Sequence, residues 1–256
     1  MGPSMAGRAD LEGQQAVSRY SWIVFDADGT LFDFEHAERA ALQRTLRSFG
    51  VELTARLYAA YREISIDLWS RFERGEIDSQ RLRIARFEQL IGDHRLDVNP
   101  SEVSDHYIHS LGGERRLLPG AGAIVEHLAS GFRLVLATNG IADVQRSRFE
   151  GSAIRPYFAD IVISDEIGVA KPDPGYFDEV FARMGNPARS EVLMVGDGLS
   201  SDIAGGAAYG IDTCWFNPGS HPNGARPRPT YEIRRLTDVL GILEGTPEIA
   251  SDDNGR

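Results

Sequence analysis

The sequence predicts an α/β fold: a doubly wound, Rossmann-like parallel sheet core with an inserted all-helical domain. Short apolar runs alternate with helical patterns, and the runs are apolar throughout rather than at every second position. Continuous apolarity is typical of strands that are buried on both faces of a parallel sheet. About a hundred residues separate the first run from the second, far more than an ordinary crossover connection needs.

Each predicted strand is a run of Val, Ile, Leu or aromatic residues that stops at Gly, Asp, Asn or Ser. The strands are predicted at residues 22–25, 133–137, 160–163, 192–195 and 213–216. Helices are predicted between them at residues 122–130, 142–153, 174–184 and 202–209. Asp173 followed by Pro174 is typical of a helix start, because Asp caps the free N–H groups and Pro suits the first turn.

The long connection has apolar residues at three- and four-residue spacing, which predicts four helices at 35–50, 55–75, 79–96 and 101–113. We therefore expect a helical cap at 35–115 and an α/β core at 20–34 and 116–243. The polar ends, 1–19 and 244–256, are predicted to be flexible tails. Hinges are expected near 33–34 and 112–113, where the cap leaves and rejoins the core.

The composition limits the classes of partner. The net charge is −11, which argues against a nucleic acid polymer because such binding needs a broad basic surface. No apolar run is long enough for a membrane span, and the first twenty residues have no apolar signal region. The single cysteine, Cys214, is predicted to be a buried structural thiol. We expect a cytoplasmic protein, monomeric or homodimeric.

Polar side chains follow four of the predicted strands, and the carboxyl ends of parallel strands meet at one edge of a sheet. These residues are Asp26, Asp28, Thr138, Asn139, Lys171, Asp197 and Asp202. The three carboxylates of Asp26, Asp28 and Asp197 are expected to crowd together and therefore need a cation, and hard oxygen ligands favour Mg²⁺. A lysine, a hydroxyl and backbone amides nearby are suited to phosphate oxygens, and a carboxylate is the natural nucleophile. The residues thus predict magnesium-assisted phosphoryl chemistry on a small phosphorylated metabolite.

Four motifs, "DADGT", "LATNG", "AKP" and "GDGLSSD", occur in an order that resembles the haloacid dehalogenase (HAD) superfamily of phosphohydrolases. The resemblance covers about residues 20–34 and 116–243, and the helical insertion resembles that family's C1 cap. Stretches such as "GVAKPDPGYFD" are similar to the pyrimidine 5′-nucleotidase (house-cleaning nucleotidase) branch. Gly198 departs from the Ser or Thr that many relatives carry after "GD", although no expected metal ligand is lost.

The resemblance implies a two-step hydrolysis. Asp26 would be the nucleophile and form an aspartyl-phosphate, while Asp28 would be the general acid and then the general base. Magnesium, with Mn²⁺ as a substitute, would be bound by the Asp26 carboxylate, the Asp28 main-chain carbonyl and Asp197.

Further roles are implied around the phosphate. Thr138 and Asn139 would hold the phosphoryl group, and Lys171 would offset its charge and that of the nucleophile. Asp202 would orient Lys171 or a metal-bound water without itself binding the metal. Phe34, next to the site in sequence, is a candidate to stack on the substrate, whereas Asp33 is expected to be a turn or helix cap.

The resemblance favours a phosphatase of nucleoside 5′-monophosphates, with pyrimidine nucleotides as substrates. The alternatives are a phosphoglycolate or sugar-phosphate phosphatase, a 2-haloacid dehalogenase, a phosphomutase and a non-catalytic binding module. Asp28 argues against the dehalogenase, because dehalogenation leaves no oxygen to protonate. The presence of Asp26, Asp28 and Lys171 argues against a module without catalysis.

Overall fold

The computed structural model describes residues 18–223 and 227–245. The tails predicted at 1–19 and 244–256 lie mostly outside these residues. Within them, six parallel strands form one sheet in the order β3-β2-β1-β4-β5-β6. The strands are β1 (Trp22–Phe25), β2 (Arg133–Thr138), β3 (Phe158–Ile163), β4 (Val192–Gly196), β5 (Asp212–Phe216) and β6 (Tyr231–Ile233). The predicted α/β class is confirmed, and β6 is a short edge strand that the sequence pattern did not predict.

The sheet is buried on both faces, as continuous apolarity predicts. Ile23 and Phe25 of β1 point into one hydrophobic cluster, whereas Trp22 and Val24 point into another on the opposite face. Six helices cover the two faces and the loops at the ends of the strands. They are α5 (Ala121–Leu128), α6 (Ala142–Glu150), α7 (Ser164–Ile167), α8 (Pro174–Met184), α9 (Ala204–Tyr209) and α10 (Val239–Leu243).

Four helices fill the long connection between β1 and α5. They are α1 (Phe34–Ser48), α2 (Ala55–Glu73), α3 (Ser79–His94) and α4 (Pro100–Gly112). Their apolar faces form a third hydrophobic cluster, which extends onto Ile141 and Val144 beside and in α6 of the core. The four predicted helices are therefore present, and their shared core rests on the edge of the sheet where β2 ends.

The two connections between these helices and the sheet lie side by side. Asp33 caps α1, since its Oδ1 accepts a hydrogen bond from the backbone N–H of His36 at 3.1 Å. Its other carboxylate oxygen pairs with Nε of Arg116 at 3.2 Å, and its backbone N–H donates to the Arg116 carbonyl at 2.9 Å. The expectation that Asp33 is a helix cap is confirmed.

Two predicted helices differ from those observed. The helix predicted at 142–153 ends at Glu150, because Gly151, a poor helix former, follows as the C-cap residue. The helix predicted at 202–209 begins only at Ala204, because residues Leu199–Ile203 form a wide π-type turn in which the Gly198 carbonyl accepts from the N–H groups of Asp202 and Ile203. Such wide turns are frequent at functional sites.

The structure also bears on the predictions for Cys214 and for membrane spans. Cys214 is buried and free in β5, as predicted, and burial raises the pKa of its thiol. Over the described parts of the chain, no helix has the length and apolarity required to cross a membrane.

Candidate active site

The carboxyl ends of β1, β2 and β4 open into a cavity of about 210 Å³ that the cap helices cover. β1 lies between β2 and β4. The chain runs from β1 to β2 and β3 on one side and then returns to β4 on the other side, so the strand order reverses at β1. Ligands bind at such a switch point in doubly wound sheets. From the core, the cavity is lined by Asp26, Asp28, Asn139, Gly140, Ile141, Val144, Gln145, Lys171, Asp197, Gly198, Ser201 and Asp202.

Lys171 connects two of the predicted carboxylates. Its Nζ donates hydrogen bonds to Oδ1 of Asp26 and to Oδ1 of Asp202, both at 2.6 Å, and to the Ala137 carbonyl at 2.7 Å. The side chain is 1% exposed, so all three ammonium protons are used inside the protein. The wide turn at Leu199–Ile203 allows Asp202 to reach Lys171 while its Oδ2 accepts from the Gly198 N–H at 3.0 Å.

The pKa values in this cluster reflect crowding of like charge. Burial raises the pKa of Asp26, and the Asp202 and Asp197 carboxylates raise it further against the opposing effect of Lys171. Burial favours neutral Lys171, but Asp202 and Asp26 outweigh it and raise the pKa of the lysine. The pKa of Asp197 is raised to about 7. The larger cause is the limited hydration of its carboxylate among protein atoms, and the second is repulsion from Asp202. Asp197 is nevertheless open to the cavity. The cluster therefore has a charge imbalance that an added cation would relieve.

The donor set fits a divalent metal ion. Carboxylate oxygens of Asp26, Asp197 and Asp202 lie within 4.8 Å of one another. Three carboxylates and the Lys171 ammonium leave a net charge of −2, which one divalent cation neutralises. The Asp26 and Asp197 carboxylates present hard oxygen atoms, the type that Mg²⁺ and Mn²⁺ prefer, whereas both Asp202 oxygens already accept hydrogen bonds, from Lys171 and from the Gly198 N–H.

Gly29 allows this cluster to close. Its φ is +83°, a conformation that favours glycine, and a Cβ at this position would lie 2.3 Å from Oδ2 of Asp197. Thr30, the next residue, donates from Oγ1 to Oδ1 of Asp197 at 3.2 Å. The turn after Asp28 thus places Asp197 against the end of β1.

Thr138 and Asn139 lie at the end of β2, as predicted, but their side chains already have protein partners. Asn139 exchanges two hydrogen bonds of 2.8 Å with the backbone of Lys171, and its side chain lines the cavity. Oγ1 of Thr138 accepts from Nε2 of Gln145 at 2.9 Å. Asn139 therefore fixes the loop that carries Lys171.

Asp28 lines the same cavity but takes no part in the Lys171 cluster. Its carboxylate accepts hydrogen bonds from two residues of α6, Gln145 at 2.8 Å and Arg148 at 2.5 Å. Asp26 and Asp28 are therefore two carboxylates in different environments, one bound to an ammonium and one to a guanidinium and an amide.

The helices α1 to α4 contribute Phe34, Trp69, Glu73, Arg86 and Leu111 to the cavity wall. Phe34 is where the sequence placed it, at the start of α1 beside the site. Burial raises the pKa of Glu73, which lies near Asn139, Asp202 and Lys171. Arg86 is 3% exposed, its Nη2 has no hydrogen-bond partner, and its guanidinium lies over the Tyr107 ring at 4.8 Å.

Sequence reasoning missed Gln145, Arg148, Glu73 and Arg86. Each lies inside an amphipathic helix, where a charged or amide residue is usually on the solvent side. The burial of Arg148 and Arg86, at 1% and 3% exposed, comes from the way helices pack against each other. Local sequence pattern carries no signal of that packing.

Comparison with known proteins identifies relatives along nearly the whole chain. A family model described as haloacid dehalogenase-like hydrolase matches residues 20–210. Pyrimidine 5′-nucleotidase YjjG of Escherichia coli is 36% identical over 225 residues, which cover 88% of this chain and 98% of YjjG. Pyrimidine 5′-nucleotidase PynA of Streptococcus pneumoniae is 32% identical, over 88% of this chain and 95% of PynA.

A solved structure has the same fold over a similar span. The crystal structure of YfnB from Bacillus subtilis, a protein named as a HAD-hydrolase, has a TM-score of 0.83 and 35% sequence identity. It covers 88% of this chain and 99% of YfnB, and that crystal structure has YfnB bound to magnesium and reveals interdomain movement in YfnB.

Proposed function

The chain belongs to the haloacid dehalogenase-like hydrolase family, and on that premise we propose that it is a Mg²⁺-dependent phosphatase of pyrimidine nucleoside 5′-monophosphates. The proposal is supported by two carboxylates with separate partners at the end of β1. Lys171 donates a hydrogen bond to Asp26, whereas Gln145 and Arg148 donate hydrogen bonds to Asp28. Phosphomonoester hydrolysis through a carboxylate needs one group to attack and another to move protons.

In the first half-reaction, a carboxylate oxygen of Asp26 attacks phosphorus and the bond from phosphorus to the ester oxygen breaks. Asp28 donates its proton to that oxygen, so that the nucleoside leaves as a neutral alcohol. In the second half-reaction, Asp28 removes a proton from water, and the water oxygen attacks phosphorus. The bond between phosphorus and Asp26 then breaks, which releases inorganic phosphate, restores the Asp26 carboxylate and leaves Asp28 protonated for the next turnover.

Charge at the phosphoryl group is balanced by the chain's own residues and by a metal ion. Lys171 neutralises part of the charge on Asp26 and the phosphate, and Asp202 holds Lys171 in place at 2.6 Å. Asn139 orients the phosphoryl group from the end of β2, whereas Thr138, which is buried and outside the cavity lining, supports this site through its hydrogen bond from Gln145. The carboxylates of Asp26 and Asp197, with the Asp28 main-chain carbonyl, would bind Mg²⁺, which supplies a Lewis acid for the phosphoryl oxygens.

The nucleotide preference is supported by the two relatives named as pyrimidine 5′-nucleotidases and by the cavity wall. Phe34 and Trp69 offer aromatic rings, and Arg86 offers a guanidinium whose Nη2 has no partner. A flat ring with carbonyl oxygens is suited to such a wall, because it stacks on aromatic side chains and accepts hydrogen bonds.

We also propose the domain division 35–115 for the cap and 20–34 with 116–243 for the core. The separate hydrophobic cluster of the four cap helices supports it, as do the adjacent connections at Asp33 and Arg116. The interdomain movement described for YfnB is consistent with a cap that opens to admit substrate and closes to exclude water.

A substrate screen of the purified chain tests the proposal. With Mg²⁺, kcat/KM for UMP, dUMP and dTMP is expected to exceed that for phosphoglycolate and hexose phosphates, and EDTA should abolish turnover. Asp26→Asn should abolish hydrolysis of every substrate. A preference for phosphoglycolate would overturn the nucleotidase assignment, and activity of Asp26→Asn would overturn the nucleophile.

A further inference from the structure

Two residues of α6, Arg148 and Gln145, hold the Asp28 carboxylate from one side. Nη1 of Arg148 donates to Oδ1 of Asp28 at 2.5 Å, and Nε2 of Gln145 donates to Oδ2 at 2.8 Å. The two oxygen atoms of Asp28 therefore have different partners. Because each partner fixes one oxygen, the plane of the carboxylate is set by α6 rather than by the β1 turn.

The two partners are themselves fixed. Nε of Arg148 donates to the Glu114 carbonyl at 2.9 Å, its Nη1 also donates to Oε1 of Gln145 at 3.3 Å, and its guanidinium lies over the Phe32 ring at 4.8 Å. The side chain is 1% exposed, and Nη2 has no hydrogen-bond partner. A buried guanidinium with an unused nitrogen is costly to keep. Its position is therefore hard to explain by stability alone.

Gln145 reaches Asp28 across Gly140. A Cβ at Gly140 would lie 2.6 Å from both Cγ and Nε2 of Gln145, so a larger residue there would displace the amide. The same Nε2 donates to Oγ1 of Thr138 at 2.9 Å. One amide group thus joins Asp28 to the end of β2, where the proposed phosphate-binding residues lie.

We propose that Arg148 and Gln145 are positioning residues that aim the Asp28 carboxylate at the oxygen of the leaving group. This inference rests on the proposed function, because it requires Asp28 to be the general acid. Neither residue need touch the substrate. Arg148 and Gln145 hold the Asp28 side chain in one rotamer. In that rotamer the Asp28 carboxyl group can pass its proton to the leaving-group oxygen along a short hydrogen bond.

The test uses the basicity of the leaving group. The alkoxide of a nucleoside needs a proton as it leaves, whereas 4-nitrophenolate leaves without one. The quantity to compare is kcat/KM, because it reports only the steps up to loss of the leaving group and excludes hydrolysis of the phosphoenzyme. A misplaced general acid should therefore slow UMP far more than 4-nitrophenyl phosphate.

For Arg148→Met and Gln145→Leu, we expect kcat/KM for UMP to fall about 100-fold, the lower end of the range for general acid catalysis. For 4-nitrophenyl phosphate, we expect a fall of less than about 5-fold, since that leaving group does not use the acid. Asp28→Asn should show the same pattern to a greater extent. Arg146→Met, on the same helix but in an exposed pair with Glu166, is the matched control for loss of an arginine.

Arg148→Lys guards against a variant that fails to fold, because it keeps the buried charge but cannot bridge Asp28 and the Glu114 carbonyl. Equal losses on both substrates in Arg148→Met, Arg148→Lys and Gln145→Leu would overturn the inference, since that result indicates a structural role. If Asp28→Asn also lacks the dependence on leaving group, the proposed role of Asp28 fails as well. If Asp28→Asn shows it and the α6 variants do not, only the inference fails.

Discussion

At the scale of single residues, the site depends on a few short contacts between carboxylates and cations. Lys171 satisfies all of its donors on Asp26, Asp202 and the Ala137 carbonyl, so its position is fixed before any ligand arrives. Preorganised charge of this kind lowers a barrier because it need not rearrange during the reaction. The same contacts make the site sensitive to small displacements.

Gly29 gives the first prediction at this scale. Gly29→Ala should abolish phosphatase activity, because the new Cβ would lie 2.3 Å from Oδ2 of Asp197 and displace a proposed metal ligand. Gly50→Ala is the control, since Gly50 has a similar φ of +73° but no atom within 4 Å of the position of a Cβ. It should lower only the free energy of unfolding, by about 1–2 kcal/mol, because the left-handed conformation costs an L-residue roughly this much. The activities of the Gly29→Ala and Gly50→Ala variants are compared by steady-state kinetics in EDTA and at increasing Mg²⁺ concentrations. Equal activities of the two variants would contradict the assignment of Asp197 as a metal ligand.

Arg86 gives a second prediction. Arg86→Met should lower kcat/KM for UMP about tenfold more than for phenyl phosphate, because the loss of one charged hydrogen bond to a base carbonyl is worth roughly this factor. Arg81→Met, which removes an exposed arginine of the same helix, serves as the control. A larger loss on phosphoglycolate than on UMP would show that Arg86 binds a carboxylate instead.

At the scale of helices and strands, the cap helices are stabilised by local capping. Oδ1 of Asn99 accepts from the N–H groups of Ser101 and Glu102 at the start of α4. Asn99→Ala should therefore lower the free energy of unfolding by about 1 kcal/mol. Urea denaturation checks this value. Asp97→Ala is the control, because Asp97 is exposed and lies outside the helix; it should change the free energy of unfolding by no more than about 0.5 kcal/mol. An equal loss of stability in both variants would argue against Asn99 as the N-cap of α4.

Sequence pattern was sufficient for the elements that build the sheet and for the residues that end its strands. The first five strands are apolar runs, and the residues that follow them meet at one edge because parallel strands all end there. β6 was missed because Tyr231–Ile233 is three residues long and contains an exposed glutamate. Gln145 and Arg148 could not be predicted, because only the docking of α6 beside the β1 turn places them on Asp28.

At the scale of the whole molecule, protonation of the carboxylate cluster links folding to metal binding. The pKa of Asp197 is about 7 in the folded protein without metal, against an ordinary value of 3.8. Between these two values, the folded state binds more protons than the unfolded state, so this group makes folding less favourable as the pH rises. By the proposed assignment, Mg²⁺ would bind the ionised Asp197 carboxylate and should reverse that loss.

Mg²⁺ should therefore raise the Tm more at about pH 8 than at about pH 6, because protons compete with the metal at the lower pH. Thermal unfolding in EDTA and in saturating Mg²⁺ measures both shifts, and Asp197→Asn should remove most of the difference. A Mg²⁺ shift that is the same at both pH values would contradict the assignment of Asp197 as a ligand.

We propose that Asp26 carries the phosphoryl group during turnover. Rapid-quench mass spectrometry of the full chain reacting with UMP and Mg²⁺ tests it most directly. We expect one phosphoryl group to be added transiently to the peptide containing Asp26, and Asp26→Asn to give no adduct. A phosphoryl group on another residue, or full turnover with no phosphoenzyme at any quench time, would contradict it.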